Sequence, residues 1–540
     1  MGDTTRRESA RIAGRDRHER VKMGSREDKK DRSFLVYDRR TFLKGLGALG
    51  AAGVGTSLLP GGLRAEGDGE DRTKFLIVLS AAGGASIIDG PMAIMASESA
   101  NASTLNTFPD ALVERYGEGG LRAVDMDRGA LGQIPSPFVS RQKYFVNKHQ
   151  DDMMVATWQR TSVNHAIGQR RSVTGNEAWR GRTLQELVAL EHGEGFAIPN
   201  VNLASGSGFV ERGTDGSLPS RVFGEPITDP ALWPLALDGA RGLRRPIKKS
   251  LIDRARKLRN DRIDATSNFM KVFGEAPRIQ HWRHIRGTPQ ESIEASDLIS
   301  KLMLFPDSSQ FPLSARGLES SPAAAAALAR FPNYATDPLE AQAALAFLLL
   351  RYRVSVSVTL GPSFDVVIDE DGRDAGYEQG GRLGRDRLLN PPIAFDFSHQ
   401  GHRSVQGLMW DRMYRVADNL IELLKGEEYG NGESMWDRTM IYMATDFGRT
   451  KSRPANSDEF ATGHNLNNGV MVLSPLVNGG RVLGGVDPDT ALTYGFDPTT
   501  GAPDPGRRMD EPQIFGGLLH ALDVDTTGSG LPDMKAMRKA

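Results

Sequence analysis

The segment FDFSHQGH, residues 395 to 402, packs one aspartate and two histidines into seven positions. Other polar segments of the same kind follow apolar runs. AAGGASIIDG carries Gly83, Gly84, Ser86 and Asp89; TSVNHAIGQRRSVTG carries Asn164, His165, Arg170 and Arg171; and a third stretch runs from Asp446 and Arg449 to His464. The chain has ten histidines, and four of them, His165, His399, His402 and His464, fall in these segments. Imidazole and carboxylate together hold borderline and hard cations and move protons near neutral pH. Cysteine is absent, which removes thiolate ligands, disulfides and cysteine nucleophiles at once. Any metal must therefore be met by oxygen and nitrogen. The competing reading makes each aspartate and histidine a cap or turn residue. It prevails for His402, which is read as a solvent-exposed residue at a helix start.

Other chemistries are narrowed by spacing. Arg170 and Arg171 can grip an anionic group bidentately, against the alternative that they pair with surface acids. Arg449 is expected to orient a carboxylate. Gly83-Gly84 lacks the full spacing of a dinucleotide loop, no G-x-S-x-G elbow occurs, and no haem, iron–sulfur or flavin motif is present. No nucleotide or redox cofactor is expected.

Positioning these groups requires elements. KFLIVLS (74–80), DMMVATW (152–158), VSVSVTL (354–360), PIAFDF (392–397), TMIYMATDF (439–447) and GVMVLSP (469–475) read as strands. Most lack polar alternation, as strands buried on both faces of a parallel sheet do. TLQELVALEH, DPLEAQAALAFLLLRYR, SVQGLMWDRMYRVADNLIELLKGEE and PQIFGGLLHAL carry apolar residues at helical spacing. The expectation is an α/β three-layer sandwich with a mostly parallel central sheet. In such a sheet ligands bind beyond the carboxyl ends of the strands, where the polar segments fall. Residues 248–304 read as a helical insertion, and SPAAAAALAR as one helix or linker.

Composition fits this. With 39% hydrophobic and 25% charged residues the chain is ordinary globular material. Its 67 basic residues nearly cancel its 68 acidic ones, so no global field favours nucleic acid or an acidic membrane, and a charged ligand must be met locally. Residues 1–38 are charged and without apolar periodicity, a disordered leader. Residues 39–68, from Arg39 and Arg40 into an Ala/Gly/Leu stretch, resemble a twin-arginine export signal. The apolar stretch is too short and glycine-broken for a spanning helix. The resemblance implies passage through the twin-arginine export machinery to the periplasm or beyond, with membrane contact only through an uncleaved signal. The folded domain is expected over 70–525, with 526–540 as a tail.

In order along the chain, Gly-Gly-x-Ser-x-x-Asp after the first strand, NHAIGQRRSVTGNE, FDFSH, WDRTMIYMATDFGRTK, GHN, GGRVLGG and DEPQIFGGLLHALDVD resemble the domain-of-unknown-function 1501 family, exported proteins of the alkaline-phosphatase and sulfatase superfamily. The likeness covers roughly residues 70 to 525. It implies an alkaline-phosphatase-like fold and a metal-dependent hydrolase of phosphate or sulfate esters, or a non-catalytic envelope binding or assembly protein on that fold. It implies a divalent metal, zinc or calcium or magnesium, held by Asp396, His399 and His464 with Asp446 as a shared or second-site ligand. Counting back ten residues from Gly175 lands on His165, which with Asn164 and Arg449 is then expected in catalysis; Ser86, Arg170 and Arg171 would meet a small anionic ester. The family usually has Glu at Asp446 and Asp-x-His at Asp396-Phe397-Ser398-His399, the position after Asp446 is Phe447 rather than histidine, and the acid after the first strand is missing. One metal is expected rather than two.

Overall fold

The computed structural model describes residues 71–124, 141–204, 213–237, 248–285, 298–305, 313–361 and 395–539 apart from a few single positions, plus the pairs 377–378 and 382–383. The leader and the arginine-pair segment lie outside the described residues.

One sheet organises the described chain. Its strands are β1 (Phe75–Ser80), β2 (Met153–Trp158), β3 (Asn200–Asn202), β4 (Glu225–Pro226), β5 (Ser357–Leu360), β6 (Thr439–Ala444), β7 (Asn468–Leu473) and β8 (Arg481–Leu483), in the spatial order β8-β2-β7-β6-β1-β5-β3-β4. Every neighbouring pair is parallel except those made by β7, which runs against both β6 and β2. The mostly parallel α/β sheet read from the apolar runs is thus the observed one. All residues of β1, β2, β6 and β7 are buried, which explains why those strands show no polar alternation.

The helices that cover the sheet begin where their caps dictate. Among them are α1 (Gln142–His149), α2 (His165–Gly168), α3 (Leu184–His192), α4 (Lys249–Leu258), α5 (Asn268–Phe273), α6 (Pro277–Ile285), α7 (Leu298–Leu302), α8 (Pro322–Arg330), α9 (Pro338–Arg351), α10 (His402–Lys425) and α11 (Glu511–Ala521). Thr183 caps α3 through the Glu186 N–H while Glu186 answers the Thr183 N–H, and Asp337 caps α9 ahead of Pro338. Helix α3 packs on β1 and β5, α9 on β5, α11 on β2, and α10 lies against α1 and α9. The polyalanine segment is helix α8.

Three expectations are corrected. PIAFDF is not a strand where it is described: Phe395–His399 form a 3-10 turn. Such a turn places i and i+3 on one side, so Phe395 and Ser398 are buried while Asp396 and Phe397 are half-buried. The residues after 525 are no loose tail, because Met534 and Met537 are fully buried and Asn478 donates its N–H to the Met537 carbonyl. His402 does open a helix, yet it is buried. Over 248–304 the described residues are helices α4 to α7 and no strand.

The reversed strand has a consequence for the site. Parallel β1, β2 and β6 end at one edge, with Ser80 beside Ala444 and Trp158 beside Asn468. Because β7 starts rather than ends there, the segment before it, with His464, joins the segments that follow β1, β2 and β6.

Candidate metal centre

Asp446 stands two residues past the end of β6, with its side chain fully buried. His165, the first residue of α2, donates from Nδ1 to Asp446 Oδ2 at 2.6 Å. The other carboxylate oxygen of Asp446 accepts the Gly83 N–H at 3.1 Å and the Thr445 hydroxyl at 3.2 Å. With Nδ1 committed, His165 turns Nε2 toward Asp396 Oδ1, 3.3 Å away. His464 is set the same way: its Nδ1 donates to the Val163 carbonyl at 2.8 Å, and its Nε2 lies 3.8 Å from Asp396 Oδ1. His399, one turn after Asp396, brings Nε2 to 2.8 Å from His464 Nε2 and 3.4 Å from Asp396 Oδ1. His165, Asp396 and His464 each offer one ligand atom, and those three atoms lie within 4.8 Å of one another.

Buried groups hold this cluster from behind. Arg449 is fully buried and contacts Asp396 Oδ1 at 3.1 Å, the Phe395 carbonyl at 3.1 Å, the Gly84 carbonyl at 3.3 Å and the Gly83 carbonyl. Arg449 and His464 face each other in a two-residue antiparallel ladder. The Phe447 ring stacks on His464 with centroids 3.8 Å apart and lies 4.8 Å from His165. Phe447 is thus a wall that fixes two imidazoles. Gly83 and Gly84 both have φ in the left-handed region, +93° and +94°. A Cβ on Gly83 would run into the Asp396 backbone, and one on Gly84 would come within 2.7 Å of Arg449 Nε. The glycine pair is there for close approach of Asp396 and Arg449.

Charge follows from these contacts. Burial works against a charged His165, but the bonds to Asp396 and Asp446 outweigh it and raise its pKa from 6.5 to about 9. Burial would lift Asp396, yet His165 and Arg449 overcome it and lower Asp396 to about 2. His399 is pushed below its ordinary value by burial and by Arg449, against the pull of Asp396. An imidazole whose Nδ1 proton is tied off and whose Nε2 faces a carboxylate at hydrogen-bond distance is held either by a proton or by a cation.

No family model and no curated protein matches this chain.

The other sequence-designated residues fall elsewhere. Asn164 is beside His165, but its amide oxygen accepts the Ile167 N–H and so caps α2. Ser86 is buried, with its N–H on Gln406 and its carbonyl on Trp410. Arg171 bonds Glu511 at 3.2 Å and the Thr161 carbonyl at 3.0 Å, which ties α11 to the polar loop after β2 and takes its guanidinium away from an anion. Arg170 is exposed. Asp446 sits behind His165 rather than beside Asp396. Sequence reading did not pair His165 with Asp396, because only the fold brings positions 231 residues apart together; nor did it find the Val163 carbonyl, since a backbone atom leaves no residue-type signal.

Proposed function

We propose that this chain is an exported hydrolase that uses one divalent cation to cleave a small phosphate or sulfate ester, on an alkaline-phosphatase-like or sulfatase-like form of its α/β sheet. The observation that carries the reading is the convergence of His165 Nε2, His464 Nε2 and Asp396 Oδ1 with both Nδ1 protons already committed, to Asp446 and to the Val163 carbonyl. Metal-ligating histidines are fixed by that kind of outer bond. Two imidazoles and a carboxylate, with His399 at the rim, fit zinc better than magnesium or calcium, which take mostly oxygen. The resemblance of the ordered motifs to the domain-of-unknown-function 1501 family, and of the arginine-pair segment to a twin-arginine signal, is what supports export and the superfamily reading.

When bound, the cation supplies Lewis-acid polarisation of the ester oxygen and neutralises charge on the reacting group. The chain's residues do the rest. Asp446 keeps His165 in the tautomer that leaves Nε2 free of its own proton, Arg449 offsets the Asp396 charge from the protein side, and the exposed His399, held below its ordinary pKa, can pass a proton at its ring. The test is metal analysis of the purified full chain, then a panel of phosphate and sulfate esters with zinc-loaded and chelator-treated protein. Turnover that chelation abolishes and zinc restores, falling by about 10²-fold or more in Asp396→Asn and in His464→Ala, is the expected result. Turnover indifferent to chelation and to both substitutions contradicts it.

A second reading, a non-catalytic envelope binding or assembly protein on the same fold, is favoured by one observation. The hydroxyls that precede His165 are occupied: Ser162 caps its own turn through the Asn164 N–H, and Thr161 donates to the Leu466 carbonyl. Metal bound in full with no ester turned over would select this reading.

A further inference from the structure

Most of the described residues of 248–285 are exposed, while His281 is buried and anchors the segment to the Ser220 carbonyl and Glu225. They carry ten Lys and Arg against four Asp and Glu, 10 − 4 = +6, in a chain whose total is −1. The insertion is therefore a local excess of positive charge.

The same residues have apolar positions at helical spacing that are exposed or half-buried. On α4 they are Leu251, Ile252, Ala255 and Leu258. A wide turn over Arg259–Asp264 with i→i+5 bonding follows, and it carries the stripe five residues on to Ile263. Ser267 then caps α5 through the Met270 N–H, and α5 sets out Phe269, Val272 and Phe273 at i, i+3 and i+4. Ile263 is 57% exposed and Val272 71%. The Phe269 and Phe273 rings are 5.2 Å apart, so they form one exposed aromatic ridge, and Trp282 on α6 is exposed as well. Single exposed apolar residues need no explanation; a series at helical period does.

We infer that the helical insertion, residues 248–285, is a docking surface for an anionic lipid bilayer. The inference is independent of the proposed hydrolase site. A helix with lysine and arginine on one side and leucine, phenylalanine and tryptophan on the other lies in the headgroup layer, its apolar stripe in the acyl boundary and its cations on anionic headgroups. No described helix is long and apolar enough to cross a membrane, so the element rests on the bilayer rather than spanning it. The charge complementarity selects lipid over a second copy of this chain, whose insertion would bring +6 against +6.

The experiment is co-sedimentation of the full-length protein with phosphatidylglycerol-containing vesicles and with pure phosphatidylcholine vesicles, at low and high salt. Two surface variants accompany it, Phe269→Ser with Phe273→Ser and Arg254→Glu with Lys257→Glu, each checked for an unchanged circular-dichroism melt. Salt-sensitive binding to the anionic vesicles, weakened by on the order of tenfold in each double variant, and a Trp282-dependent fluorescence quench by brominated lipid are expected. Absence of binding to anionic vesicles overturns the inference. So does binding that both variants retain in full, which would belong to the N-terminal segment, and so does self-association lost in the phenylalanine variant without any vesicle binding.

Discussion

His165 lies between two carboxylates, and its titration would separate a metal-free from a metal-bound protein. Its folded pKa is raised from 6.5 to about 9, so in the metal-free chain its pairing contributes stability that is complete below about pH 6.5 and disappears as the pH rises through about 9. Asp396, lowered from 3.8 to about 2, contributes above about pH 3.8 and loses its contribution as the pH falls through about 2. Thermal melts of chelator-treated protein should therefore weaken between pH 6.5 and 9, and His165→Gln should flatten that limb; an unchanged limb in the variant would remove His165 as its source. Zinc must displace the proton, so its affinity should rise over the same interval. Asp446→Asn, which withdraws the carboxylate from His165 Nδ1, should lower zinc affinity about 10- to 100-fold, measured by competition with a chromophoric chelator. Equal affinity in that variant would mean that Asp446 does not orient the ligand.

The elements that carry the site were legible where burial dictates residue type. Runs such as FLIVLS and TMIYMA are apolar throughout because both faces of β1 and β6 are covered, and the long amphipathic segment after His402 is helix α10 because its apolar residues meet α1 and α9. What sequence did not reveal depended on distant partners. His402 looks like any polar helix start, yet it is buried because Asp89, more than 300 positions earlier, accepts from its Nε2 at 2.9 Å, while Thr462 meets its Nδ1 at 2.9 Å. The Asp89 bond fastens the start of α10 to the segment after β1, the Thr462 bond fastens it to the loop that bears His464, and His402 holds Asp89 below the ordinary carboxylate range against the opposing effect of burial. Breaking the pair with Asp89 by His402→Ala should cost about 3–5 kcal/mol, as loss of one partner of a buried pair does, measured by denaturant unfolding; a loss below about 1 kcal/mol would show the pair to be dispensable. Gly83→Ala should be severely destabilising and should displace Asp396, since its φ is unfavourable for a side chain and its Cβ position is taken. Retained stability and retained zinc affinity in that variant would contradict the packing role of the glycine pair.

For the whole molecule, a single reversed strand decides where chemistry gathers. Parallel strands deliver Asp446 and His165 to one edge, and β7, entering from that edge, delivers His464 to the same place. The apolar runs showed that the sheet was mostly parallel, but the direction of β7 was not legible, because a strand buried on both faces reads the same in either direction. Export is the other statement at this scale. Residues 1 to 75 fused to a reporter that crosses only when folded should carry it across the membrane, and Arg39→Lys with Arg40→Lys should stop it; equal export of the double variant would end the localisation reading. Anomalous diffraction from crystals of the zinc-loaded protein tests the proposed cation between His165, Asp396 and His464. The predicted result is one strong peak within about 2.0–2.2 Å of His165 Nε2, His464 Nε2 and an Asp396 carboxylate oxygen. No peak between those atoms, with His165 left bonded to both aspartates, would contradict the claim.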